Sequence, residues 1–323
     1  MTSRRALLLA PLATPALASP ALAQPARNPV RLIVPFPAGG ATDSISRLYA
    51  PVLAAKLGES VVIENRPGGG GIPAAEAAMR AAPDGQTLLF TTSSTHSVQP
   101  AVNPRSLPYD PERDFTPLAL ICGTPSLVLI SATIPATTLP EFIAWAKARR
   151  GQVNYGSSGV GTAPHLNGAL FDVLADLGME HVPYRGTGGV YAEMRRGEVH
   201  VLLDSPSTAA PHLQSGAVRA LAVTWAARTD LVPGVPTAGE AGLPGLITNT
   251  WFGLFGPARL PAEAKARLDA ATLAAAEDPD YRQGLLRLGA EARPGNGEVL
   301  ARTAREERDR WAGLVQRLRI QVN

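Results

Sequence analysis

An α/β fold built on largely parallel sheets is what the sequence predicts, and three observations carry that expectation. Short apolar runs of strand length alternate with stretches whose apolar residues recur at helical spacing. The stretch VRLIVPFPAGGATD at 30–43 reads as a buried strand, a Pro-Gly turn and a helix start in immediate succession. The carboxyl-terminal part reads instead as consecutive amphipathic helices.

The first strand rests on Val30, Leu32, Ile33 and Val34, and Pro35 and Pro37 end it because proline removes a ladder donor. Gly39 and Gly40 free the turn from Cβ clashes, and Ile45, Leu48, Tyr49, Val52, Leu53 and Leu57 then fall on one helix face. Further strands are expected at 61–64, 87–91, 127–130, 153–155, 199–203 and 221–224, with helices at 73–81, 139–149, 165–177, 190–196 and 208–214 between them. Helices at 261–278, 279–288 and 297–318 follow, the last with Arg302, Arg305, Arg308 and Arg310 among Glu306, Glu307 and Asp309 on a solvated face. The Gly68 to Gly71 run lacks the lysine of a phosphate-binding loop and reads as a structural turn. Pro-Gly clusters at 66–73 and 232–244 mark loops, and no repeat of fixed period is present.

The amino terminus carries an export pattern. Arg4 and Arg5 precede an apolar segment at 6–18 that is too short and too proline-broken to span a bilayer, and Ala21, Leu22 and Ala23 satisfy the small-x-small cleavage rule ahead of Gln24. Residues 1–23 are therefore expected to be a cleaved signal, of the general secretory type in preference to the twin-arginine type that the Arg pair loosely resembles. The 30 Lys and Arg exceed the 27 Asp and Glu by three, and loss of Arg4 and Arg5 leaves an excess of one. That balance argues against a nucleic-acid partner. The single Cys122 sits in an apolar run and reads as a small buried hydrophobe, and the five histidines show no metal-binding spacing. Some 300 mature residues are enough for two lobes at roughly 100–200 residues per domain.

A glycine turn at a helix start presents unpaired backbone N–H groups and suits a carboxylate or phosphate; a tight βα turn without ligand is the alternative. Further stretches occur in one order: VIENRPGGGG at 62–71, LPYDP at 107–111 with DFTP at 114–117, NYGSSGVGT at 154–162 with His165 and Leu166, HVPYRG at 181–186, and DSP at 204–206. VPT at 235–237, EAGLPG at 240–245 and WFG at 251–253 complete the series. Together they resemble the Bug family, the periplasmic solute receptors of tripartite tricarboxylate transporters, over the whole mature chain.

The resemblance implies a two-lobed type II periplasmic binding protein that closes on a small carboxylate and hands it to membrane permease subunits. It implies no cofactor, a monomer, and a periplasmic location. Lobe one would comprise 24–124 and 234–323, and lobe two 125–233. The two facing loops that bind the carboxylate in such receptors map here onto Phe36, Ala38, Gly39, Gly40, Thr42 and Asp43, and onto Ser157, Ser158, Gly161 and Thr162. Glycines before a helix in both loops support the mapping, and Ser157, Ser158 and Thr162 add hydroxyls. Ser93, Ser94 and Thr95, after a strand end, are expected to line the same cleft.

Other candidates keep two readings. Asp43 either steers the ligand's polar groups or serves the helix dipole, and His165 either contacts ligand or packs locally. Arg185 either neutralises a second ligand carboxylate or pairs at the surface, Asp204 stands at a strand's carboxyl end where such sheets bind ligands, and Phe36 is either a lid or a core aromatic. After Arg185 and Gly186 the chain departs from the family pattern, with Tyr191 in place of the usual proline-containing turn, which would favour an aromatic ligand if it lines the cleft. A receptor feeding a signalling system remains an alternative. A secreted hydrolase is the rival from another class, but neither Ser157 nor Ser158 has glycine both two before and two after it, as a nucleophile elbow requires.

Overall fold

The computed structural model describes residues 28–184 and 186–318. The expected signal at 1–23 and the candidate Arg185 lie outside the described residues.

Two sheets organise the chain. The first begins with β1 (Val30–Val34), which pairs in parallel with β2 (Val61–Asn65) and β3 (Thr87–Thr92). Helix α1 (Ala41–Leu57) connects β1 to β2, α2 (Ile72–Met79) connects β2 to β3, and the short α3 (Gln99–Val102) lies between β3 and the next strand. Two later strands, β4 (Phe115–Pro125) and β10 (Asn249–Pro257), join antiparallel, and β11 (Glu291–Asn296) closes the edge in the order β11-β4-β10-β3-β1-β2. Both faces are covered. Leu32, Tyr49, Leu53, Phe90, Leu268 and Tyr281 fill one side, beneath α1, α8 (Ala262–Ala276) and α9 (Pro279–Arg287). Ile33, Ala75, Ala78, Phe115, Phe255 and Leu300 fill the other, beneath α2 and α10 (Gly297–Leu318). Burial on both faces is why the strands read as continuous apolar runs.

The second sheet has the order β7-β6-β8-β5-β9. Its parallel part is β7 (Glu180–Pro183), β6 (Asn154–Ser157) and β8 (Val201–Asp204), while β5 (Leu127–Ser131) runs antiparallel to β8 and to β9 (Val218–Val223). Helices α4 (Leu139–Lys147) and α5 (Ala163–Ala175) supply Phe142, Leu166 and Phe171 to one face. Helices α6 (Thr187–Arg196) and α7 (Pro206–Gln214) supply Val190, Tyr191, Met194 and Ala209 to the other. Helix α4 starts where local chemistry starts it: Thr138 and Glu141 form a reciprocal capping box.

Among the described strands, parallel ladders are thus those of β2-β1-β3 and β7-β6-β8, and the remaining ladders are antiparallel, a departure from the largely parallel expectation. The physical reason is the connection between the units. The chain passes from β4 through Ser126 into β5, and returns along β10, so the strands that carry it across run against their neighbours. The return comes later than the sequence suggests. Val223 N–H donates to Pro236 O and Ala238 N–H to Val223 O, and Ala238 and Leu246 lie in the second unit's core, so residues 234–247 pack with the second sheet. The crossing falls at Thr248, whose N–H bonds Thr224 O. There Thr224 Oγ1 accepts from Ser126 N–H at 3.0 Å and lies 2.6 Å from Thr248 O, with the Thr248 hydroxyl 3.0 Å away.

Candidate ligand-binding site

The β1–α1 loop is held from inside. Gly39, at φ 84°, adopts a left-handed conformation that favours glycine, and its N–H donates to Asp43 Oδ2 at 2.9 Å. Arg47 Nε donates to the same oxygen at 2.8 Å, and Asn65 Nδ2 reaches both Asp43 Oδ1 at 2.8 Å and Phe36 O at 3.0 Å. The Arg47 hydrogen bond, with help from Gly39 and Asn65, pulls the Asp43 carboxyl down to about 2 against the opposing effect of burial. Asp43 is therefore the latch of the loop. With no side-chain cap at Gly40, the N–H groups of Ala41, Thr42 and Asp43 have no intrahelical partner.

Gly40, Ala41 and Thr42 of this helix start line a cavity of about 390 Å³ between the two units. The first unit contributes Phe36, Pro37, Gly40, Thr42 and Ile45, with Thr92 and Ser94 from the end of β3. The crossing strands contribute Thr124, Pro125, Ser126, Thr250 and Phe252, and Leu288 to Ala290 close one end. From the second unit come Ala163, Pro164 and Asn167 on one face of α5, and Leu203, Asp204, Ser205 and Ser207 at the end of β8. Helix α5 also lacks a side-chain cap, so a second helix N-terminus meets the same space. Among the described lining residues there is no Lys, Arg or His. Asp204 is the one ionisable side chain among them, and burial pushes its carboxyl up to about 6.

Of the sequence candidates, Phe36, Gly40, Thr42, Ser94 and Asp204 line this cavity. Ala38, Gly39, Asp43 and Ser93 do not, and neither do Ser157, Ser158, Gly161, Thr162 or His165. The β6–α5 loop uses several of its polar groups in local hydrogen bonds, and of its residues Ser157 is buried. Ser157 Oγ lies 2.7 Å from His181 Nε2 and accepts from Gly159 N–H, Thr162 Oγ1 donates to Gly159 O at 2.7 Å, and Gly161 N–H donates to His165 Nδ1 at 3.0 Å. The His165 and His181 rings stack at 3.9 Å, and burial, with His165 beside it, lowers His181 to about 4. Thr95 likewise bonds Gly70 O at 3.0 Å. Tyr191 lies behind Asp204 and not against the cavity, donating to Asp204 Oδ2 at 3.1 Å.

Sequence reasoning passed over Asn167, Ser126, Thr250 and Phe252. Asn167 was open to discovery, since it falls four positions after Ala163 on the same face of α5. The residues of the crossing strands depend on where the chain passes between units, which no local pattern marks. Chemically, the site offers backbone donors for an anion, hydroxyls, apolar walls and one acid. Of the Ser157–His181 pair, Ser157 is buried and His181 half-buried, and neither lines the cavity.

Comparison with known proteins finds relatives over most of the chain. The model of the tripartite tricarboxylate transporter family receptor matches residues 45–320. The chain belongs to that family. A UPF0065 protein of a Pseudomonas species is 34% identical over 297 residues, 92% of this chain and 88% of the relative. BugT of Bordetella pertussis is 30% identical, over 90% of this chain and 89% of the relative. Among solved structures, MatC from Rhodopseudomonas palustris with bound malate is 37% identical with a TM-score of 0.72, covering 89% of this chain and 98% of that one. An adipate-bound R. palustris protein is 33% identical with a TM-score of 0.75, over 89% and 96%. The periplasmic binding protein BugD gives 28% and 0.72, over 91% and 98%. As a member of this receptor family the chain is a solute-binding protein with a two-lobed periplasmic-binding-protein fold, and not an enzyme.

Proposed function

We propose that the protein is an exported periplasmic receptor that captures a small carboxylate in the 390 Å³ cavity and delivers it to a tripartite tricarboxylate-type transporter. The observation that carries the reading is the convergence of two uncapped helix N-termini, α1 from one unit and α5 from the other, on a cavity whose described lining has no basic side chain. An anion there is met by backbone N–H groups and by the positive ends of two helix dipoles. Malate in MatC and adipate in the R. palustris relative support the ligand class, and the receptor family supports the permease partner. The amino-terminal export pattern and the periplasmic binding protein BugD support the location.

A carboxylate held by both units is bound fully only when they close, so ligand shifts the population toward the closed form. A thermal-shift screen of aliphatic and aromatic mono- and dicarboxylates, with amines and neutral sugars as controls, tests the class. Stabilisation follows RT ln(1 + [L]/Kd), about 2.7 kcal/mol at a hundredfold excess over Kd. Shifts by amines or sugars alone would sink the carboxylate reading. For the geometry, Gly40→Val is well placed: the residue is extended, and its Cβ would meet only Pro37 O, at 3.4 Å. With Ala163→Leu it should obstruct one helix terminus from each side. Each variant should lower affinity by at least about tenfold, as expected from losing one or two hydrogen bonds to a charged group at roughly 1.5–3 kcal/mol each. Small-angle scattering should show ligand-dependent compaction in the wild type, lost in both variants at the same ligand concentration.

A further inference from the structure

Backbone donors at helix termini recognise a carboxylate whatever the rest of the molecule is. Discrimination among carboxylates must therefore come from the remainder of the cavity, and there Asp204 is chemically distinct from its neutral neighbours. Its Oδ1 accepts from Ser205 N–H at 2.8 Å and its Oδ2 from the Tyr191 hydroxyl at 3.1 Å, with the Thr187 hydroxyl adding a further bond. All three donors are neutral. A carboxylate has about four acceptor positions, so capacity remains on the cavity side. A buried carboxylate without a strong donor partner is costly, and burial has already raised this one. Its orientation is fixed: Tyr191 is itself buried and stacked on the His212 ring at 3.8 Å.

We propose that Asp204 reads the part of the ligand remote from the anchored carboxylate, accepting a hydrogen bond from a hydroxyl or ammonium group there, with Tyr191 as its positioning residue. The ligand is then a carboxylate that carries a hydrogen-bond donor, in preference to the unsubstituted acid. This rests on the carboxylate-receptor reading above and adds the group that selects among carboxylates. A site built around a buried acceptor rejects the analogue that leaves it unpaired, whereas an apolar wall tolerates either.

The test is titration calorimetry of the purified protein with three matched series: propanoate, lactate and alanine; butanoate, 4-hydroxybutanoate and 4-aminobutanoate; benzoate, 4-hydroxybenzoate and 4-aminobenzoate. In at least one series the hydroxy or amino acid should bind at least about tenfold tighter than its parent, the scale of one well-made hydrogen bond to a charged group. Asp204→Leu, which removes the acceptor, should bring that ratio to about one. Asp204→Asn separates the two donors in the aliphatic series, because its neutral carbonyl still accepts from a hydroxyl but no longer forms an ion pair with the ammonium of alanine or 4-aminobutanoate. Tyr191→Phe should reduce the ratio without removing the acceptor, and it keeps the test open if an Asp204 variant does not fold. Equal affinity of parent and substituted acids in every series overturns this inference alone, as does a ratio that survives Asp204→Leu. Binding by none of the nine overturns this inference alone, and a thermal-shift screen in which no mono- or dicarboxylate stabilises the protein overturns the carboxylate reading with it.

Discussion

Both ring nitrogens of His96 lack a hydrogen-bond partner, although the side chain is 1% exposed. It stacks on Phe255 at 4.1 Å and meets Phe115 edge-on at 4.8 Å, an environment made for an apolar ring. Burial holds the imidazole down at about 3, so the folded state keeps it neutral. The unfolded chain binds the extra proton between its ordinary value of 6.5 and about 3, so this residue lowers stability progressively as pH falls through that window. His96→Phe removes an unsatisfied buried polar group that costs about 1–3 kcal/mol. The adjoining cavity of about 100 Å³, which His96 lines, gives the larger ring room. Urea denaturation should show a more stable variant at pH 7, with the difference growing toward pH 4; a less stable variant at both would show that the imidazole is satisfied by water. At this scale the sequence was legible in part. The glycine turn at Gly39 and Gly40 and the strand-end Asp204 were visible from their neighbours, whereas the inward turn of Ser157 depends on His181, a residue brought to it only by the pairing of β6 with β7.

Helix α10 is the element on which the two tryptophans of the first unit depend. Glu307 is buried on it, accepting from Trp251 Nε1 on β10 and from Trp311 Nε1 one turn along. Burial raises its carboxyl to about 7, only partly countered by Arg310 and the two indoles. A raised carboxyl binds more protons folded than unfolded between 4.5 and about 7, so its contribution is complete below 4.5 and is lost as pH rises through that interval. Glu307→Gln should flatten the fall in melting temperature between pH 5 and pH 8; an unchanged slope would place the titration elsewhere. Glu307 was read from the sequence as part of a solvated charged face, and the structure places it beneath that face instead, while Arg305 bonds Glu112 at the surface. The helices as a group were legible because their apolar period runs over many residues, as in α4, α8 and α10. Strand β11 was not, since its sequence EARPGN has no apolar alternation and becomes a strand only by pairing with β4.

For the molecule as a whole, motion must pass through the crossing at Ser126, Thr224 and Thr248. Thr224 is fully buried there, its hydroxyl shared among the backbone of both crossing segments. Thr224→Val keeps the shape but leaves Ser126 N–H and the Thr248 hydroxyl unpaired, so it should cost at least about 2 kcal/mol in a urea titration, given about 1–3 kcal/mol for each unsatisfied buried group. An unchanged midpoint would mean that water replaces the hydroxyl. The same crossing also tethers the cavity wall, because Asn167 Nδ2 donates to Ser126 Oγ at 2.9 Å. The order of strands carries one more consequence, for biosynthesis. The second unit is a continuous stretch whose two ends emerge side by side, where Pro125 pairs with Asn249, so it has all its strands as soon as that stretch is made. The first unit does not: β10 lies between β3 and β4 in the middle of its sheet, and it arrives only after the entire second unit. A nascent chain therefore completes its inserted half first and leaves the outer half open along its central seam until the last quarter has been delivered.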